Sequence, residues 1–209
     1  MTIDPDLPAR PDAPPGLASR VRRRWLPTLL VGATIVVTVL GGFVVAEALP
    51  PPDVGPLALA DVVTLRPLPG WEVVRRQEAP ITAPGSGSVS GEFAQLTRGN
   101  GALDVLVLPD LGAGPVEVAE LYAEDVLADQ LERLSISGVR PAALPSGLPS
   151  VRFGYIGSEP SSGAAIEGVV TAVVTPTGDA AVFDGWAFQG QLELIAEELD
   201  EMIDRAEVG

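Results

Sequence analysis

Ile166 to Phe188 reads IEGVVTAVVTPTGDAAVFDGWAF, two β-like runs joined by Pro176-Thr177-Gly178-Asp179, a tetrapeptide of turn formers. In the first run Ile166, Gly168, Val170, Ala172 and Val174 fall on one face, and Glu167, Val169, Thr171, Val173 and Thr175 on the other. A strand that is apolar on both faces needs cover on both, so it belongs in the interior of a sheet. The second run closes with Asp184, Trp186 and Phe188 on a shared face. That acidic and apolar strip either underlies a helix or forms a ligand or partner surface, and Tyr155 on the preceding hairpin is placed to join it.

Working outward, the same alternation recurs. Gly138 to Ala143 and Ser150 to Gly157 flank the turn Pro-Ser-Gly-Leu-Pro, and Glu92 to Arg98 and Ala102 to Leu108 flank Gly99-Asn100-Gly101, where a hairpin wants positive φ. Further upstream, Asp61 to Pro67 and Leu68 to Arg75 read as two short strands divided by a Pro-Gly turn, with Trp71 as a core plug. Ala83 to Gly91 (APGSGSVSG) reads as a loop.

Two stretches have helical spacing. Pro115 begins one over Val116 to Leu134, with Glu117 and Glu120 near its positive end. Its stripe is split, Val118, Leu121, Tyr122 and Val126 on one face and Leu127, Leu131 and Leu134 on another, so the helix bends or packs on two sides. The other, Gln191 to Glu207, carries Leu192, Ile195, Leu199, Met202, Ile203 and Ala206 opposite Glu193, Glu197, Asp200, Glu201 and Asp204. The acids form a solvated face or a docking face for a basic partner.

Before all this lies Leu26 to Ala46, LPTLLVGATIVVTVLGGFVVA, uncharged and long enough at about 1.5 Å per residue to span a bilayer. Arg20, Arg22, Arg23 and Arg24 precede it and acids follow it, which by the positive-inside rule puts the N-terminus in the cytoplasm. Ala46-Glu47-Ala48 also fits a cleavage signature, so a released product starting at Leu49 is the alternative. The length of the apolar run and Pro50-Pro51-Pro52 just beyond weigh toward a retained anchor. The expected layout is a disordered cytoplasmic tail at 1–24, a transmembrane helix at 25–47, a Pro-rich linker at 48–60 and an extracytoplasmic α+β domain at 61–209.

Composition removes many chemistries. The chain has no cysteine and no histidine, and all 13 basic residues are Arg, so thiol catalysis, the commonest general base and the usual nitrogen and sulfur metal ligands are absent. No phosphate-binding glycine motif and no calcium loop occurs. Five of the 13 Arg and three of the 28 acids fall in the tail, leaving eight against 25, or about −17, on the remainder. That surface repels nucleic acid. No catalytic residue, cofactor or metal is expected. Arg without Lys, with abundant Gly and Pro, suits a GC-rich bacterial source.

The order strand, strand, hairpin, helix, two hairpins, helix, with Leu68-Pro-Gly-Trp71 early, Tyr122 in the first helix, Gly147-Leu-Pro before a strand and Gly185-Trp186 before the last helix, resembles the PsbP-like group, including actinobacterial LpqN-type envelope proteins. The resemblance covers 61–209 and implies an antiparallel sheet flanked by two helices, used for binding or assembly. The expectation is a non-enzymatic, single-pass scaffold, accessory subunit or binding module of the bacterial envelope, with the membrane and envelope proteins as partners. Its alternatives are a protein binding a small apolar ligand such as a lipid and, behind that, a carboxylate-dependent hydrolase.

Overall fold

Hairpins between sequence neighbours build most of the architecture. The computed structural model describes residues 55–83 and 87–209, and their side chains outside 80–89. The expected tail at 1–24, the membrane helix at 25–47 and residues 48–54 of the linker lie outside the described residues. Strands β1 (Leu57–Leu59), β2 (Val63–Leu65), β3 (Glu72–Ala83), β4 (Gly87–Arg98) and β5 (Gly101–Leu108) come first. A helical segment follows: α1 (Pro115–Leu121), a π-helical turn (Tyr122–Leu127) and a last α-turn (Ala128–Gln130). After it come β6 (Glu132–Ile136), β7 (Arg140–Pro141), β8 (Ser150–Ser158), β9 (Ala165–Val174), β10 (Ala180–Phe188), α2 (Ala196–Asp204) and β11 (Glu207–Val208).

The larger sheet is antiparallel throughout and runs β3-β4-β5-β10-β9-β8-β6, with β7 also paired to β8. Strands β1, β2 and β11 make a smaller antiparallel sheet. The class is α+β. Among the described residues no helix is long and apolar enough to cross a membrane.

Period-2 alternation divides the larger sheet into two apolar faces. On one, Leu103 and Val105 of β5, Val173 of β9 and Phe183 of β10 pack with Trp71, with Leu59 and Leu65 of the small sheet, and with Leu199, Met202 and Ile203 of α2. On the other, Leu106, Val170, Ala172 and Val182 pack with Phe153, with Val118 of α1, and with Tyr122 and Leu127 of the π-helical turn. Glycine sets how near α2 comes to the first face. A Cβ on Gly185 would lie 2.6 Å from Leu199 Cδ1, so α2 seats directly on β10 there.

Several boundaries differ from the sequence reading. Leu57 and Leu59, inside the expected linker, are buried and form β1, because β2 offers them a ladder partner. Strand pairing continues into the Ala83–Gly91 stretch read as a loop, with Ala79 opposite Gly91 and Ala83 opposite Gly87; a backbone ladder needs no apolar side chain. The expected helix over 116–134 ends at Gln130, and Leu131 turns to extended backbone (φ −124°, ψ 136°) to start β6 on the edge of β8. Its split stripe is reconciled by the π-helical turn, whose extra residue rotates Leu127 onto the face already holding Val118 and Tyr122. Of the strand expected over 138–143 only Arg140–Pro141 forms a ladder with β8, and just beyond it the Ala142 N–H donates to the Ser150 carbonyl at 2.9 Å. The helix expected over 191–207 opens as a 3₁₀ turn (Leu192–Leu194), is α-helical only from Ala196 to Asp204, and gives up its last residues to β11, which pairs with β2.

Candidate functional site

Asp184 belongs to the β10 face that meets the helical segment, and the strand order places Asp104 of β5 directly opposite it. Two buried carboxylates thus stand as a cross-strand pair, 2% and 7% exposed. Each has its own neutral donors. The Tyr122 hydroxyl donates to Asp184 Oδ2 at 2.9 Å, and the Tyr155 hydroxyl donates to Oδ1 at 3.0 Å and Oδ2 at 3.1 Å. Gln95 Nε2 donates to Asp104 Oδ1 at 2.8 Å and Trp186 Nε1 to Oδ2 at 3.1 Å. Among the described residues no buried side-chain nitrogen or oxygen lacks a hydrogen-bond partner.

Local sequence explains how the tyrosines arrive. Tyr155 of β8 is opposite Gly168 of β9, and a Cβ on Gly168 would lie 2.4 Å from the phenol ring. The missing side chain is the slot through which the Tyr155 ring crosses β9 to reach Asp184 on β10. Tyr122 opens the π-helical turn, a widening that recurs where helices aim side chains at functional sites.

Burial, and then the facing Asp104 charge, push the Asp184 carboxyl up to about 8, against the tyrosine hydrogen bonds that favour its ionised form. Burial lifts Asp104 to about 6, opposed by the bonds from Gln95 and Trp186 and by the charge of Arg75. The Tyr122 and Tyr155 hydroxyls are raised by burial and by the Asp184 charge, so both remain neutral donors. Near neutral pH the pair therefore holds one proton between two carboxylates.

Beside Asp184 opens a cavity of about 240 Å³. Leu127, Leu131, Ile166, Trp186 and Phe188 make its apolar lining, buried Tyr155 and Asp184 line it too, and exposed Gln130 and partly exposed Glu159 complete it. An apolar cavity of about 150 Å³ is enough to hold benzene, so this volume suits a small organic molecule. Asp184, Trp186 and Phe188, grouped from strand alternation, and Tyr155, placed with them from the preceding hairpin, all line this one space. Asp104, Tyr122 and Gln95 complete the site and lie outside the group that strand alternation on β10 picks out. A lone acid in GALDVLVL was a legible signal for the first; nothing local announced the other two.

The acidic face expected on the C-terminal helix divides in two. Arg152 pairs with Asp200 at 2.9 Å and Arg205 with Glu201 at 2.6 Å, so these acids already have cations within the chain. Glu193, Glu197 and Asp204 are exposed without an ion pair among the described residues.

No protein-family model and no curated protein matches this chain. Its fold is similar to solved structures of low identity. One is LpqN, involved in cell envelope biogenesis of Mycobacterium tuberculosis (14% identity, TM-score 0.43, covering 70% of this chain and 82% of that one). Another is cyanobacterial PsbP (CyanoP) from Synechocystis sp. PCC 6803 (10% identity, TM-score 0.46, 75% and 94%). A third is PA94 of Pseudomonas aeruginosa, a protein of unknown function and putative regulator (12% identity, TM-score 0.39, 72% and 93%). The PsbP-like resemblance is thus a weak likeness of fold.

Proposed function

We propose that this chain is a non-enzymatic binding module of a bacterial envelope that takes a small, largely apolar ligand beside Asp184. In this reading residues 25–47 cross the plasma membrane once with the N-terminus cytoplasmic, α1 and α2 flank the sheet of an extracytoplasmic domain, and the protein serves an envelope assembly as an accessory subunit. The observation that carries the ligand is the cavity with its apolar lining and one buried, hydrogen-bonded polar group. Binding is favoured over hydrolysis because Asp104, the second carboxylate of the buried pair, does not line the cavity and faces no substrate there. The positive-inside charge pattern supports the topology.

The test uses the full chain in nanodiscs, labelled with fluorotryptophan. Hexanol should shift the Trp186 resonance and leave that of Trp71, buried in the opposite core, in place. Ile166→Phe, which fills the cavity, should suppress the shift. Resonances that move together, or a Trp186 signal indifferent to hexanol, overturn the ligand reading.

A further inference from the structure

We infer that the cavity selects apolar amines, binding the ammonium group against the Asp184 carboxylate. The inference rests on the ligand-binding reading above and names the ligand's chemistry. Three observations carry it. First, the ionisable groups along the cavity are acidic or phenolic: Asp184, Tyr155 and partly exposed Glu159, with no arginine in its lining. Second, Asp184 has acceptor capacity to spare. A carboxylate offers about four lone-pair sites, and the two tyrosines occupy three, leaving one on Oδ1. Third, the aromatic side chains of Trp186, Phe188 and Tyr155 line the same space, and an aromatic ring attracts an ammonium that has left water. An anionic ligand would meet Asp184 and Glu159 with neither an arginine nor an unengaged Trp186 N–H to receive it, since that N–H is held by Asp104.

Proton balance follows from the pair. The amine arrives as an ammonium ion, its N–H donates to Asp184, and the proton that Asp184 held leaves to solvent. The groups that face Asp184 are Asp104 from β5, Tyr155 from β8 and Tyr122 from the π-helical turn, with Arg75 acting on Asp104 from β3. Of these the carboxylates change charge as the pH moves from about 6 to about 8, while both hydroxyls stay protonated. Amine affinity therefore rises across that interval and hexanol affinity does not.

The experiment titrates hexylamine, hexanol and hexanoate against the fluorotryptophan-labelled full chain in nanodiscs, reading Trp186, at about pH 6 and about pH 8. At the higher pH hexylamine should bind about tenfold or more tighter than hexanol, the scale of one charged hydrogen bond, with hexanoate weakest. In Asp184→Asn the amine-to-alcohol ratio should fall to about one, and the wild-type pH series decides the matter even if that variant fails to fold. Hexanol binding as well as or better than hexylamine at both pH values overturns the amine inference and leaves the ligand reading standing. If none of the three moves Trp186, both fall.

Discussion

The two faces of the larger sheet are made from the same strands yet are different materials. The face under α2 is dry in the sense of apolar: Trp71, Phe183, Leu103 and Met202 fill it, its buried Thr171 hydroxyl accepts from Arg152 at 3.0 Å, and the Trp71 indole N–H reaches out at 2.9 Å to Glu198 at the edge. The face under α1 holds two carboxylates and two phenols at its centre and a cavity beside them. Apolar burial near 25 cal/mol per Å² stabilises both, but only the second keeps desolvated charge, which opposes folding unless it is hydrogen-bonded or neutralised. An apolar face and a face with a buried polar cluster and a cavity are thus mounted back to back, and the dry one supports the other.

The comparison is broken most severely from the dry side. Trp71→Ala removes a fully buried indole and should lower the unfolding free energy by about 3–5 kcal/mol, read from urea midpoints, with Trp186 unable to compensate from the opposite face. A loss below about 1 kcal/mol would mean the α2 core is not what holds the domain.

The next effect is pH dependence above about pH 4, where the raised carboxyls belong to the wet face, while the Asp179 and Glu159 carboxyls, lowered by hydrogen bonds, act below that range. Asp184 has a folded-state value of about 8 against 3.8 unfolded, so between these limits the folded state binds more protons than the unfolded one. Stability is then fully present below about 4, falls as pH rises through the window and levels above about 8; Asp104 adds its share only up to about 6. The total is on the order of several kcal/mol. Asp184→Asn should flatten the upper part of this slope, measured as urea midpoints across the range. A wild-type profile that rises between pH 4 and 8 would contradict the buried pair.

How much of this was legible beforehand depends on the distance over which the pattern is written. Strand alternation is local, so the β9–β10 hairpin and the grouping of Asp184, Trp186 and Phe188 on one face follow from Ile166 to Phe188 alone. The Asp104–Asp184 pair does not, because it exists only once β10 lies beside β5, a choice made across some eighty residues by the chain's long-range packing. Tyr122 needed the π-helical turn, whose extra residue has no code in the 3.6 periodicity. Leu131 and Leu134 kept helical spacing while the backbone had already become an edge strand, so tertiary pairing overrode propensity there.

Glycine tests the wet face at smaller scale. Gly168→Ala puts a Cβ into the Tyr155 ring, and moving the ring pulls its hydroxyl from Asp184, at about 1–3 kcal/mol. Gly185→Ala on the dry face meets the Leu199 side chain, nearest at its Cδ1 methyl (2.6 Å), with no hydrogen bond to lose, and should cost less. Equal urea midpoints for the two variants would show that the Tyr155 slot is not a constraint.

The finest effect separates the protonation states of Asp184. Tyr122→Phe deletes one donor and leaves the ring in place. While Asp184 is neutral the lost bond joins two uncharged groups and should cost about 0.5–1.5 kcal/mol; once it ionises, the same deletion removes a charge-assisted bond of about 1.5–3 kcal/mol. The destabilisation should therefore grow as pH passes about 8, and the variant's own stability should go on falling to higher pH than wild type, because fewer donors hold the carboxylate. Tyr155→Phe should follow the same course and should also alter the hexanol-induced shift of Trp186, since Tyr155 lines the cavity and Tyr122 does not. A cost for Tyr122→Phe that is constant from pH 6 to pH 9 would mean that Asp184 does not change charge in this range, and the wet face would then differ from the dry one in polarity but not in titration.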